Sequence, residues 1–284
     1  MTRSDAGIIV AGMIVLLCTA DTPAAAQTAA VVAPAAVDPA VDRILSRLEQ
    51  RDVRDLRAKV TWDLTYVIEE DVTRKTGKLW YKKLDPVAKF KVRFDRKIVG
   101  GRADTLAEEH LFDGRWYVEL NSETKTVSRT EMRHESDTSD PYSITEGSFP
   151  VPFGQRRDDI VREFDVNLAP PAQGDPENTD HLVLTPRPGT RTGHSYAKID
   201  FWIVRDGPLA GLPIEVRSDK RDGTGAVNST IRVSFRDVEV DTGFAESDLQ
   251  IRTPLGFEEI VERLPEQTGA GTTVVLPAGD AGKP

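Results

Sequence analysis

The chain has 284 residues, with 37 basic and 46 acidic side chains and a formal charge of −9. That balance argues against a nucleic-acid partner, whose binding rests on neutralising phosphates. One cysteine and four histidines leave little for thiol or metal chemistry, while the length suffices for a domain with a substantial core.

Residues 1–26 read as a secretory signal: Arg3 precedes an apolar run from Ile8 to Ala20, and Ala24-Ala25-Ala26 offers a cleavage site after Ala26. The run is shorter than the ~18 to 20 residues that span a bilayer, so it predicts a cleaved signal and not an anchor. Cys18 follows Leu17, where an acylation signal carries a small residue, and is read as part of the apolar run. The exported chain then has no cysteine and depends on core packing alone. Residues 27–37 form an Ala/Pro-rich linker, 38–264 a single domain, and 265–284 a Pro-, Gly- and Thr-rich tail with the composition of a disordered segment.

The domain opens with a helix. Asp38 is the expected N-cap, Pro39 suits the first helical position, and Val41, Ile44, Leu45 and Leu48 form an apolar stripe. Strand patterns follow. From Lys59 to Ile68 apolar Val60, Trp62, Leu64, Tyr66 and Ile68 alternate with polar neighbours. Residues 77–84 and 88–94 come next; in the latter Phe90, Val92 and Phe94 face one way and Lys89, Lys91 and Arg93 the other, predicting a solvated basic face. Asp113-Gly114 marks a hairpin, followed by a short strand over 125–132, while 95–110 and 129–148 read as long loops. A second helix is expected over 155–164, then strands at 181–186, 196–205, 212–221 and 228–241. Nine or ten antiparallel strands with two helices and no βαβ rhythm predict a mainly β (α+β) fold. One large twisted sheet or an incomplete antiparallel barrel fits, its apolar face partly covered by the helices.

Catalytic patterns are sparse: no nucleophile elbow, phosphate loop or His-Glu-x-x-His motif occurs. His110, His134, His181 and His194 are far apart in sequence, and His134, Glu135, Asp137 and Asp140 lack the rhythm of a calcium loop. Carboxylate runs such as Glu69-Glu70-Asp71 read as turn charges, and Asn228-Ser229-Thr230 is a short sequon match. No cofactor and no catalysis are expected. The apolar sheet face remains, either as a filled core or as a groove for a hydrophobic ligand; periodicity does not separate the two.

Read in order, several segments resemble the LolA-type outer-membrane lipoprotein carriers of Gram-negative periplasms. They are VDRILSRLE, GKLWYKKLDP with KFKVRF, FDGRWYVELN, SFPVPFG, HLVLTPRPG leading into KIDFWI, and VSFRDVEVDTGFAESDLQIRTPLGFE. The resemblance runs from about Val41 to Glu258. It implies an incomplete barrel with lid helices over an apolar cavity that holds acyl chains between an inner-membrane release complex and an outer-membrane receptor. On that reading the protein is a periplasmic monomer whose partners are acylated lipoproteins or lipid. Trp62, Leu64, Tyr66, Phe90, Val92, Phe94, Trp116, Val118, Phe201 and Ile203 are the expected acyl-chain lining. The family's second strand ends Lys-Arg-Pro, with the arginine bonded to the lid; here Lys82-Lys83-Leu84 places Lys83 at that lid contact. A lipid- or lipoprotein-sensing module on the same fold is the alternative, and a hydrolase would need acid–base groups converging in a cleft.

Overall fold

The computed structural model describes residues 37–69, 71–84, 87–135, 137 and 155–265. The signal, nearly all of the linker, Asp140, the SFPVPFG segment and the tail from 266 lie outside the described residues. Helix α1 (Pro39–Gln50) starts as its sequence dictates: the Ala40 N–H donates to the Asp38 carboxylate at 2.7 Å, and the Val41, Ile44, Leu45, Leu48 stripe is buried. Strands β1 (Asp55–Tyr66), β2 (Val72–Lys82), β3 (Lys89–Val99), β4 (Arg102–Phe112), β5 (Trp116–Asn121) and β6 (Thr126–Glu131) then run as successive antiparallel hairpins.

Helix α2 (Arg157–Glu163) leads directly into β7 (Phe164–Ala169) and β8 (Thr179–Pro186). A five-residue helix, α3 (Arg191–Ser195), precedes β9 (Tyr196–Val204), β10 (Pro213–Arg221) and β11 (Val227–Val240). β11 returns alongside β1, and β12 (Glu258–Glu262) pairs in parallel with β6. The result is one sheet of twelve strands in the order β12-β6-β5-β4-β3-β2-β1-β11-β10-β9-β8-β7. Its two end strands are not paired with each other, so the sheet is curved and unclosed.

Bulges supply the curvature. The β2–β3 register shifts at Thr76/Gly77 and the β3–β4 register at Phe94/Arg96. A Cβ at Gly77 would lie 1.8 Å from the Arg93 carbonyl oxygen, so only glycine permits this approach.

Several predicted boundaries are corrected. Residues 95–110 are the β3–β4 hairpin, turned at Gly100-Gly101 with both φ positive, and not a loop. Residues 126–131 form the short strand expected over 125–132, so the loop read from 129 starts only after Glu131. β1 ends at Tyr66, which leaves Ile68 93% exposed in a turn and off the apolar face. α3 and β12 are too short for the sequence pattern to announce them, and β7, where Phe164, Val166 and Leu168 alternate with Asp165 and Asn167, runs straight on from α2.

Taking the face that carries Trp62 as inner, its apolar core continues across β11 and β10 into β9 and β8. The register places Trp62 opposite Val233, Val233 opposite Val216, Val216 opposite Phe201, and Phe201 opposite Leu182. Helices α1 and α2 lie over the β7–β9 end, where Leu45, Leu48 and Ile160 pack with Phe164, Leu182, Leu184 and Phe201. At the other end the outer face is apolar as well: Leu111, Val118, Leu120 and Val127 are covered by Leu249, Ile251, Phe244 and Phe257 from the C-terminal segment, while Leu106, Phe112 and Tyr117 stay in the inner core.

Candidate functional site: the inner face and its polar wall

Eight of the ten expected lining residues share the inner face, in two packed groups. Trp62, Leu64, Phe90, Val92 and Phe94 are buried in one core, with Tyr66 packed against its edge; Phe201 and Ile203 are buried beneath the helices. Trp116 and Val118 are the exceptions. Phe112 lies opposite Tyr117 and Leu111 opposite Val118, so Tyr117 points inward and Trp116 and Val118 point outward beneath the C-terminal segment. The alternation in β5 was legible, but its parity was not, because both faces of that strand meet apolar partners.

The inner face is closed. Trp62, Phe201 and Ile203 are each no more than 1% exposed. An apolar pocket of about 10 Å³ lies among Leu56, Leu212, Pro213, Ile214, Phe235 and Val238, room for about one water. The Trp62 Nε1–H is buried without an acceptor among the described residues, a donor left unsatisfied inside the apolar face.

A polar wall interrupts this face at β2, β4 and β5, and sequence reasoning missed it. Lys75 Nζ donates to both Glu108 carboxylate oxygens at 2.8 and 2.7 Å. The same ammonium lies 5.4 Å from the Trp62 ring centroid and 5.7 Å from that of Phe94. His110 joins Glu108 through Nε2 and the Tyr117 hydroxyl through Nδ1, both at 2.7 Å. All four side chains are buried. Burial alone would lift the Glu108 carboxyl, but His110 and Lys75 outweigh it and hold it below the usual range. Burial raises the Tyr117 phenol well above its ordinary value, so it is a neutral hydroxyl and not a nucleophile. The group is thus a satisfied buried network, and the signal for it was a lysine, a glutamate and a histidine at apolar-phase positions of amphipathic strands.

On the outer side, Arg93 is exposed and Lys89 half-buried, as their alternation predicts. Lys91 is not solvated: it is buried, pairs with Glu109 at 2.7 Å and donates to the Gln250 carbonyl at 2.7 Å. Covering by the C-terminal segment is the reason. Lys83 Nζ donates to Asp52 Oδ1 at 2.7 Å, with both side chains largely exposed. It therefore holds the connector between α1 and β1 and not α1 itself. Glu135 pairs with Arg115 and Asp137 with Arg133, which commits two carboxylates of the His134 loop to ion pairs. Among the described residues no helix is long and apolar enough to cross a membrane.

No protein-family model and no curated protein matches the chain. Among solved structures, an uncharacterised conserved protein of Thermus thermophilus aligns with TM-score 0.44 and 15% identity over 78% of this chain and 99% of that one. A putative outer-membrane lipoprotein-sorting protein domain of Vibrio parahaemolyticus gives 0.36 and 15% over 74% and 94%. The LolA superfamily protein NE2245 of Nitrosomonas europaea gives 0.35 and 11% over 74% and 97%.

Proposed function

We propose that the protein is a periplasmic, non-enzymatic carrier that binds the acyl chains of lipoproteins against the inner face of its sheet and takes part in their passage to the outer membrane. The observation that carries this reading is the continuous apolar face from Leu182 and Phe201 through Val233 and Trp62 to Phe90, closed over one end by separate short helices. The order of sequence segments that resembles the LolA-type carriers supports it. A cover made of a helix can move without breaking the sheet ladder.

The magnitudes favour a reversible binder. Burying a sixteen-carbon chain stabilises by roughly 12 kcal/mol at ~0.8 kcal/mol per methylene. Displacing the four apolar side chains of α1 into water costs about 1.5–3 kcal/mol each, roughly 6–12 kcal/mol together. Between about 0 and 6 kcal/mol remains, so cargo is held weakly enough to be handed on. Arg157 to Asp42, at 2.5 Å, and Arg47 to Asp180, at 2.6 Å, tie α1 to α2 and to β8, and both pairs retain solvent contact. Lys83 tethers the connector on which α1 swings.

The test is native mass spectrometry of protein purified gently from the periplasm, with tryptophan emission followed during titration with a palmitoylated peptide. Co-purifying lipid or lipoprotein mass and a change in emission are expected. An empty protein whose emission ignores the acylated peptide would sink the carrier reading.

A further inference from the structure

The outer face of the central strands carries a row of charge that packing does not account for. Lys78 on β2 stands opposite Arg93 on β3 and opposite Lys59 on β1, and Lys59 stands opposite Arg236 on β11. Four basic side chains thus line up across four adjacent strands, and all four are exposed. Neighbouring strands lie about 4.8 Å apart, so the row spans roughly 14 Å. Arg96, opposite Thr76 in the next row, is exposed on the same face.

The stripe stays positive once its neighbours are counted. Asp95 and Asp237, both at bulges, pair with Arg93 at 2.8 Å and with Lys59 at 2.6 Å. Lys78, Arg96 and Arg236 form no ion pair among the described residues. Five cations therefore face two carboxylates. The flanking rows cancel: Arg74 pairs with Asp63 and Arg232 with Glu215 on one side, Arg57 with Glu239 and Lys91 with Glu109 on the other. On that second side the C-terminal segment crosses the face, where Lys82 and Lys91 donate to its Phe244 and Gln250 carbonyls. With Glu246 and Asp248 between those points, it bounds the stripe.

The fold itself gives no reason for this row. Like charges directly opposite one another weaken a sheet. β1, β2, β3 and β11 are interior strands, so the row does not guard an open edge against association. Thr61, Thr76 and Ser234, beside the row, are small and polar, and no exposed large apolar side chain lies among them. A protein interface draws on an apolar core. A partner held here is held by charge alone, which is how a surface of lipid phosphates is held.

We infer that the row Arg93, Lys78, Lys59 and Arg236, with Arg96, is a docking surface for the anionic head groups of a phospholipid bilayer. The chain as a whole carries −9, so repulsion turns its other faces from such a membrane and sets the orientation. Docking by the outer face leaves the inner face and its covering helices unobstructed. The inference does not depend on acyl binding, and its failure leaves that reading standing.

The experiment is co-sedimentation of the full exported chain with vesicles of phosphatidylcholine alone or with about 30% phosphatidylglycerol, at about 50 and 500 mM salt. The wild type is expected to sediment only with the anionic vesicles and to be released at the higher salt. Each basic side chain at an anionic surface is worth about a fivefold gain in affinity. Lys78→Gln combined with Arg236→Gln should therefore weaken binding about 25-fold, with a melting temperature no lower than that of the wild type. Arg102→Gln combined with Lys125→Gln, the same charge change at exposed positions beside turns, should keep affinity within about twofold. Wild-type protein that binds neither vesicle, or both equally, overturns the inference. So does a stripe variant that binds like the wild type, or a control variant that weakens as much. Retention on immobilised polyglutamate without vesicle binding would give the stripe to an acidic protein and overturn the bilayer assignment.

Discussion

The two ends of the sheet are covered in different ways. At the β7–β9 end the inner face carries Leu182, Leu184, Ile199 and Phe201 beneath α1 and α2. There the outer face is polar, with His181 stacked on Trp202 at 4.2 Å and bonded to the buried Asp200 at 3.1 Å. At the β4–β6 end the outer face carries Leu111, Val118, Leu120 and Val127 beneath the C-terminal segment, and the inner face is mixed, with Glu108, His110 and Glu119 beside Leu106, Phe112 and Tyr117. Alternation in a strand establishes that two faces differ; which one is dry depends on what covers it. A cover of two helices leaves a removable lid on the inside. A cover of one 3-10 turn (Glu246–Leu249) and extended chain, pinned by the parallel β12–β6 ladder, leaves a fixed strap on the outside.

The largest expected effect falls on the wall that separates these regions. Lys75→Met strands the Glu108 carboxylate in the interior and should cost about 3–5 kcal/mol in urea unfolding. Lys75→Met combined with Glu108→Gln removes the buried charge, keeps an acceptor for His110, and should recover most of that loss. Equal losses in the single and double variants would mean that the Lys75–Glu108 pair does not hold the wall. Next come the two covers. Leu45→Ala on α1 and Ile251→Ala on the strap each empty a buried site and should each destabilise by about 3 kcal/mol. Only Leu45→Ala should also tighten acyl-peptide binding, because it weakens the contact that a ligand must displace. Matching changes in binding from both variants would erase the distinction between lid and strap.

Much of this was legible. α1 was readable because an N-cap, a proline at the first position and a four-residue stripe all agree. β1, β11 and β3 as far as Phe94 were readable because period-two patterning persists there, and β8 and β9 because each holds a short apolar run. β7 does alternate, with Phe164, Val166 and Leu168 against Asp165 and Asn167, but it follows α2 without an intervening residue, so its start was absorbed into the expected helix. β12 owes its place to the β6 edge and not to its own residues, all of which remain exposed. The inward set failed at Trp116 and Val118 for a similar reason: the residues that make their face dry, Leu249 and Ile251, lie more than a hundred positions away. Lys75 and Glu108 escaped because a charged residue at an apolar phase looks like a break in pattern until its partner, two strands away across β3, is placed beside it.

The smallest effect sharpens the comparison within the wall itself, since its two carboxylates are perturbed in opposite directions. Glu108 is held below the usual carboxylate range, so its contribution to stability is present above its unfolded value and is lost as the pH falls through its folded one. Glu119 is raised, chiefly by burial, so its favourable contribution is present below its unfolded value and is lost as the pH rises through its folded one. Ionised Glu119 therefore strains the fold at neutral pH. Glu119→Gln should raise the melting temperature by a few degrees at about pH 8, and the gain should vanish by about pH 4, where the native carboxyl is protonated. Thermal unfolding of both proteins across that interval measures it. A gain that is constant with pH would assign the improvement to packing, and a loss at pH 8 would mean that the Glu119 carboxylate is stabilised in the fold by the charge of Lys75.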